Sequence, residues 1–176
     1  EIPKFLSSTI DRLLRPTQVT VYSKYEHSDQ FAMRSQHLSS DDGELQDLPR
    51  HLPSNSIIVR EASEAEDILH SDKIFRFRSL DEARPVARAI EALDSDIIAP
   101  MVWEDDLIGL VCIGSKLSGE MYEPGELEML RNLISQASLA ARNAQLYAEM
   151  ARMKEYNDNI LRQMKSGVIA VDARDN

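Results

Sequence analysis

The side chains able to carry chemistry are few and scattered. The 176 residues include one cysteine, Cys112. That excludes an intrachain disulfide and a cysteine-only zinc site. Cys112 stands between Val111 and Ile113, where a thiol packs as a small hydrophobe. His27, His37, His51 and His70 are spread through loop-like sequence. One of them could ligate iron or haem, but a solvated or capping histidine is the commoner arrangement. Glu64, Glu66 and Asp67 cluster as acids on a solvated face do. The constellation best suited to a ligand is Arg76, Phe77 and Arg78 with Trp103: guanidinium groups for an anion and aromatic rings for a flat group. The alternative is that Ile74, Phe75 and Phe77 anchor a loop while the arginines face water. No GxSxG, HExxH or glycine-rich phosphate loop occurs. The expectation is a chain without catalytic activity of its own.

Bulk composition narrows the partners. Asp plus Glu number 30 and Lys plus Arg 20, a net charge of −10, so a nucleic acid would be repelled by most of the surface. Hydrophobic residues make up 43% and charged residues 28%, ordinary values for a chain with a real core. No stretch approaches the roughly 18 consecutive apolar residues of a membrane span. The chain opens on Glu1 without a basic segment leading into an apolar one. The expectation is a fragment of a longer polypeptide, without a signal peptide, from a reducing, cytoplasmic compartment. A membrane anchor ahead of Glu1 is left open.

The elements that must position these residues follow from periodicity. Residues 3–15 place Leu6, Ile10, Leu13 and Leu14 at helical spacing between Pro3 and Pro16. Residues 17–24 alternate, with Val19, Val21 and Ser23 on one side and Thr20 and Tyr22 on the other, as a strand does. A weaker strand is expected over 29–35. A loop is expected over 36–56, with Leu45, Leu48 and Leu52 on one face of a helical turn. The β-branched run Ser56–Arg60 predicts a strand. Ser63 with Glu66 has capping-box spacing for helical turns over 63–71. Val86, Ala89, Ile90 and Leu93 form the apolar stripe of a helix over 81–93. Residues 96–114 read as an antiparallel hairpin around Glu104, Asp105 and Asp106. Pro100 falls at an edge or bulge, and Gly109 and Gly114 at bulges or close backbone approaches.

From Pro124 to Lys165, 42 residues, the only further glycine or proline is Gly125. A helix of that length runs about 60 Å, more than a domain of this size can pack, so part of it is expected to project. Leu127, Leu130, Ile134, Ala137 and Ala141 form a face for packing against the N-terminal helix. Beyond it the repeat is heptad, with Asn143, Met150, Asn157 and Met164 at a and Leu139, Leu146, Met153 and Ile160 at d. Apolar d residues with recurring a-position asparagine favour a parallel two-stranded coiled coil. A homodimer with a weak, adjustable seam is expected.

Ile98–Val102, Leu107–Ile113, Lys116, Tyr122 with Glu126, and Ala140–Tyr147 together resemble the C-terminal half of a GAF domain. The resemblance implies an α+β fold, an antiparallel sheet flanked by helices, with a long C-terminal coiled-coil helix. Residues 160–176, ILRQMKSGVIAVDARDN, look like the entry of a PAS domain, with Gly167 as helix stop, Val168, Ile169 and Val171 as strand and Asp172 as turn. The implied organisation is a sensory domain over 1–138, a signalling helix over 139–166 and a truncated PAS start over 167–176. That order is similar to bacterial sensor histidine kinases, with PAS and output domains downstream. GAF domains often cover their pocket with the segment holding Arg76–Arg78. At the positions of the cyclic-nucleotide signature stand Ser115, Lys116, Tyr122, Glu126 and Leu127. Lys116 and Glu126 are expected to pair structurally. Neither cyclic nucleotide nor covalent bilin is expected, no metal site is expected, and the ligand is left unnamed. The alternative is a structural dimerisation spacer with a degenerate pocket.

Overall fold

Alternation in the sequence builds the sheet, and 3.6-residue stripes cover it. A computed structural model describes residues 1–24, 29–39, 47–65, 67–71, 74 and 79–168, with side chains through residue 162. In chain order the elements are α1 (Ile2–Leu14), β1 (Gln18–Lys24), β2 (Gln30–Leu38), β3 (His51–Pro53), α2 (Ile57–Glu64), β4 (Leu69–His70), α3 (Leu80–Glu91), β5 (Ile97–Trp103), β6 (Asp106–Ile113) and α4 (Pro124–Val168). The six strands form one antiparallel sheet in the order β3-β2-β1-β6-β5-β4. Two units divide the chain, Glu1–Leu139 and Ala140–Asn176.

In the first unit β1 and β6 lie at the centre, with Val19 opposite Ile113 and Val21 opposite Val111. Tyr22, Ile98, Leu110 and Cys112 share one apolar cluster with Ile58, Val59 and Ala62 of α2 and with Ala83, Val86 and Ile90 of α3. The opposite face carries Val19, Val21, Ala99, Val111 and Ile113, all buried. It takes the buried stripes of α1 (Leu6, Ile10, Leu14) and of the first part of α4 (Leu127, Leu130, Ile134, Ala137). Gln18, 1% exposed, donates from Nε2 to the Asp94 carbonyl at 3.0 Å and to that of Leu93 at 3.3 Å. Those bonds tie β1 to the chain leaving α3.

The hairpin forms with its turn at Glu104 and Asp105, while Asp106 opens β6. Glu104 takes the left-handed φ of 54° that the tight turn demands. Strand β4 pairs with β5 only at Ile97 and Ile98. Among the described residues no strand pairs with the outer edge of β5 where Pro100, lacking an N–H, sits opposite Leu110. The ladder shifts register at Met101/Val102, across from Gly109.

Several local expectations are corrected. Ser56–Arg60 is not a strand: Ile57, Ile58 and Val59 open α2, because Ile58, Val59 and Ala62 form a buried helical stripe and packing overrides β-propensity. Ser63 caps no following helix; its hydroxyl donates back to the Val59 carbonyl at 2.9 Å. Glu66, its expected partner, lies outside the described residues. Leu52 stands in β3 rather than on a helical turn, and β2 runs on to Leu38. Helix α4 passes through Gly167 to Val168. The expected strand and turn at Ile169, Val171 and Asp172 lie outside the described residues.

A β-carbon placed on Gly109 would stand 2.7 Å from the Tyr22 carbonyl oxygen. Gly109→Ala must therefore spread β1 from β6. The expected result is a loss of about 1–3 kcal/mol, seen as a lower denaturant midpoint by circular dichroism.

Candidate functional site

Where β6 hands over to α4, polar groups converge on a short connection. The Gly114 N–H donates to the Gln18 carbonyl at 2.9 Å, and Thr17 N–H donates to Ser115 at 2.7 Å. Lys116 bridges Pro16, and Leu117 N–H donates to the Arg15 carbonyl at 3.0 Å. The connection is thereby laced to the segment between α1 and β1. Tyr122 is buried and donates its hydroxyl to the Gly114 carbonyl at 2.6 Å. Burial, with the Asp96 and Glu126 charges nearby, raises its pKa well above the ordinary phenol value. Lys116 Nζ lies 2.7 Å from Glu126 Oε1 and 5.5 Å from the centroid of the Tyr122 ring. The second carboxylate oxygen of Glu126 accepts the Glu123 N–H at 2.8 Å, where α4 begins. The structure thus brings Lys116 and Glu126 together, with the Tyr122 ring packed beside the ammonium group. These bonds make the cluster a clamp on the start of α4.

A second constellation lies at the sheet edge. Asp67, between α2 and β4, accepts Arg131 of α4 through both carboxylate oxygens, Nε to Oδ1 at 2.5 Å and Nη2 to Oδ2 at 2.8 Å. Asp67 also accepts the Ile68 N–H at 2.7 Å. This fork-to-fork pair flanks a groove of about 250 Å³ lined by Ile68, Pro100, Val102, Ile134 and Ser138 among others. Sequence reasoning missed it. Asp67 looked like one acid of a solvated cluster, and its partner is 64 positions away, with no local spacing to announce the pairing.

The remaining expected site residues are placed as follows. Trp103 ends β5 half-buried, while Arg76, Phe77 and Arg78 lie outside the described residues. Cys112 is 1% exposed in β6, and burial pushes its thiol far above the ordinary range. His37, His51 and His70 stand on strands rather than loops, and His27 lies outside the described residues. His37 faces Asp11 at 3.2 Å. Among the described residues no group of three His, Cys, Asp or Glu side chains could hold a metal ion. Leu139, Asn143, Leu146, Met150, Met153, Asn157 and Ile160 are all exposed on α4. Met164 lies on the same helix, in the part whose side chains are not described.

The clamp has a pH signature. Burial alone would raise the Glu126 pKa, but the hydrogen bonds from Lys116 and Glu123 N–H and the Lys116 charge outweigh it and lower the value. A depressed folded-state pKa gives stability that is present above the ordinary carboxylate value and lost as pH falls through the folded one. Glu126→Gln is expected to cost about 1 kcal/mol at neutral pH and to flatten the acid limb of a thermal-stability profile.

No protein-family model matches the chain, and no curated protein matches it in sequence. Solved structures do match in shape. A GAF domain/HD domain protein from Geobacter sulfurreducens aligns at TM-score 0.57 and 18% identity, over 84% of this chain and 94% of that one. Residues 122 to 287 of a methyl-accepting chemotaxis protein align at TM-score 0.61 and 14% identity, over 84% and 92%. The phycoerythrobilin-bound GAF domain from a cyanobacterial phytochrome aligns at TM-score 0.60 and 17% identity, over 84% and 89%. The six-stranded antiparallel sheet, its flanking helices and these likenesses give the chain a GAF-like α+β fold.

Proposed function

We propose that this chain is the sensory GAF domain of a bacterial, cytoplasmic signal-transduction protein, in a two-component sensor histidine kinase. It has no catalysis of its own. It relays the state of a bound ligand or partner through a homodimeric helix to PAS and output domains further along the chain. The observation that carries the reading is the single helix α4. Its residues Leu127, Leu130, Ile134 and Ala137 are buried in the first unit, while Met150 and Met153 are 68% and 66% exposed. A surface helix with apolar residues at heptad spacing and water around them has a face awaiting a partner. Asp67–Arg131 joins that helix to the connection between α2 and β4, so a change among those elements bears directly on α4. Structural neighbours that include a chemotaxis protein and an HD-domain protein support a signalling setting.

A covalently attached bilin does not fit. A thioether needs an accessible thiolate, and Cys112, the chain's one cysteine, is buried between β1 and β5 with its pKa raised. A cyclic nucleotide is not part of the reading either, since Lys116 and Glu126 satisfy each other. A second reading, a dimerisation spacer that binds nothing, draws on the apolar cluster of Tyr22, Phe31, Val86, Leu110 and Cys112 filling one sheet face.

Three measurements test these readings. Native mass spectrometry of protein taken directly from cells is expected to show a non-covalent adduct; the bare mass alone would favour the spacer. Cys112 is expected to resist a thiol reagent in the folded protein and to react with one equivalent in denaturant; rapid labelling of the native chain would reopen covalent attachment. Light scattering is expected to give a dimer for the wild type and a monomer for Leu146→Asp with Met153→Asp; a monomeric wild type would remove the relay.

A further inference from the structure

Methionine is unevenly spread along the chain. Of the seven, Met101 is 4% exposed in β5 and Met33 packs against the core cluster of the first unit. Met121 lies in the connection before α4, and Met129 near the start of that helix. The other three, Met150, Met153 and Met164, belong to the second unit, and each falls at an a or d position of the heptad frame. Met150 and Met153 are 68% and 66% exposed. Three residues apart on one continuous helix, their side chains are neighbours on its surface.

The frame positions in order are Leu139, Asn143, Leu146, Met150, Met153, Asn157, Ile160 and Met164. From Leu146 to Ile160, about four helical turns, the only frame residues are two thioethers and an amide. A thioether is apolar, unbranched and flexible, so it fills a layer without fixing it. This stretch has the least to hold a second helix in place, and it opens first.

A thioether also differs from a leucine in its chemistry. Hydrogen peroxide, a two-electron oxygen donor, transfers one oxygen atom to the sulfur. A sulfur lone pair forms the S–O bond as the O–O bond breaks, and the other oxygen leaves as water. The sulfide is oxidised to the sulfoxide and the peroxide is reduced. The product has a strong acceptor oxygen and no donor. In water that oxygen is hydrated, whereas in an apolar layer it is buried unpaired, which is costly.

We propose that Met150 and Met153 are a paired oxidation site, and that peroxide acting on their two thioethers holds the seam open. The proposal rests on the homodimer reading above and adds its regulation. The sulfurs are reached when the helices part, and the sulfoxides formed then oppose reclosure. Cys112 does not compete for the oxidant, since it is 1% exposed and burial holds its thiol protonated. Met121, 64% exposed but outside the heptad frame, is the internal comparison.

The test treats the full chain with graded hydrogen peroxide, locates the oxidised residues by peptide mass spectrometry and follows the oligomer by light scattering. Met150 and Met153 are each expected to take up one oxygen well before Met101, and the dimer to weaken about a hundred-fold as they do. Methionine sulfoxide reductases of both epimer specificities, with a dithiol that becomes the disulfide as the oxygen leaves in water, are expected to restore it. Met150→Leu with Met153→Leu is expected to give a dimer that peroxide leaves intact, while Met121→Leu loses its dimer to peroxide as the wild type does. A chain that carries both sulfoxides and stays dimeric overturns the switch and leaves the homodimer standing. So does a double leucine variant whose dimer is still lost to peroxide, or a wild type whose Met150 and Met153 resist peroxide as long as Met101. A wild type that is monomeric before treatment overturns the homodimer reading, and the switch with it.

Discussion

Two-sided burial of the central strands is the constraint on which this structure depends. Strands β1 and β6 are buried on both faces, from Val19 to Tyr22 and from Leu107 to Ile113, and apolar throughout apart from Thr20 and the Tyr22 hydroxyl. An antiparallel sheet can leave one face to water, but this one cannot, because its alternate residues are apolar in both directions. Two helical layers are therefore obligatory. Helices α2 and α3 supply one, and α1 with the first part of α4 supplies the other. Gly109, beneath the Tyr22 carbonyl, lets the two strands approach, and Gln18 turns the one long polar side chain in the middle of the sheet into a staple for the end of α3.

The same constraint sorts the chemistry. A thiol at the centre of the sheet is inert, since burial holds it protonated. Polar groups that keep their charge are driven to the rims. At one rim Lys116, Tyr122 and Glu126 fasten the start of α4 to the segment between α1 and β1. At another, Asp67 and Arg131 fasten it a little further along to the connection between α2 and β4. Helix α4 is thus held by two charged contacts and one apolar stripe. Ion pairs near a surface contribute little to global stability; these two hold the first turns of α4 against neighbouring segments.

How far the sequence disclosed this varied with the range of the interactions. Strand β1, the β5–β6 hairpin, α1, α3 and α4 follow from repeats of two or 3.6 residues, each visible within a dozen positions. Helix α2 did not, because Ile57, Ile58 and Val59 favour a strand by type and become helical only through what they bury against. Strands β3 and β4 have three and two residues, too few for alternation to register, and exist because a neighbour offers a ladder. Lys116 with Glu126 was legible because ten positions join a loop to the helix that follows it. Asp67 with Arg131 was not, since the fold alone brings those segments together.

The arrangement of α4 in the first unit bears on how a partner could engage it. At 100° per residue, Leu127, Leu130, Ile134 and Ala137 cluster on one side of the helix. The heptad frame of the seam, carried back from Leu139, falls at Met129, Asn132 and Gln136, about 150° away. Met129 and Leu139 are exposed while the other stripe is buried. The sheet-facing stripe and the heptad frame therefore lie on different sides of the helix, and packing on the sheet leaves the heptad positions at the surface.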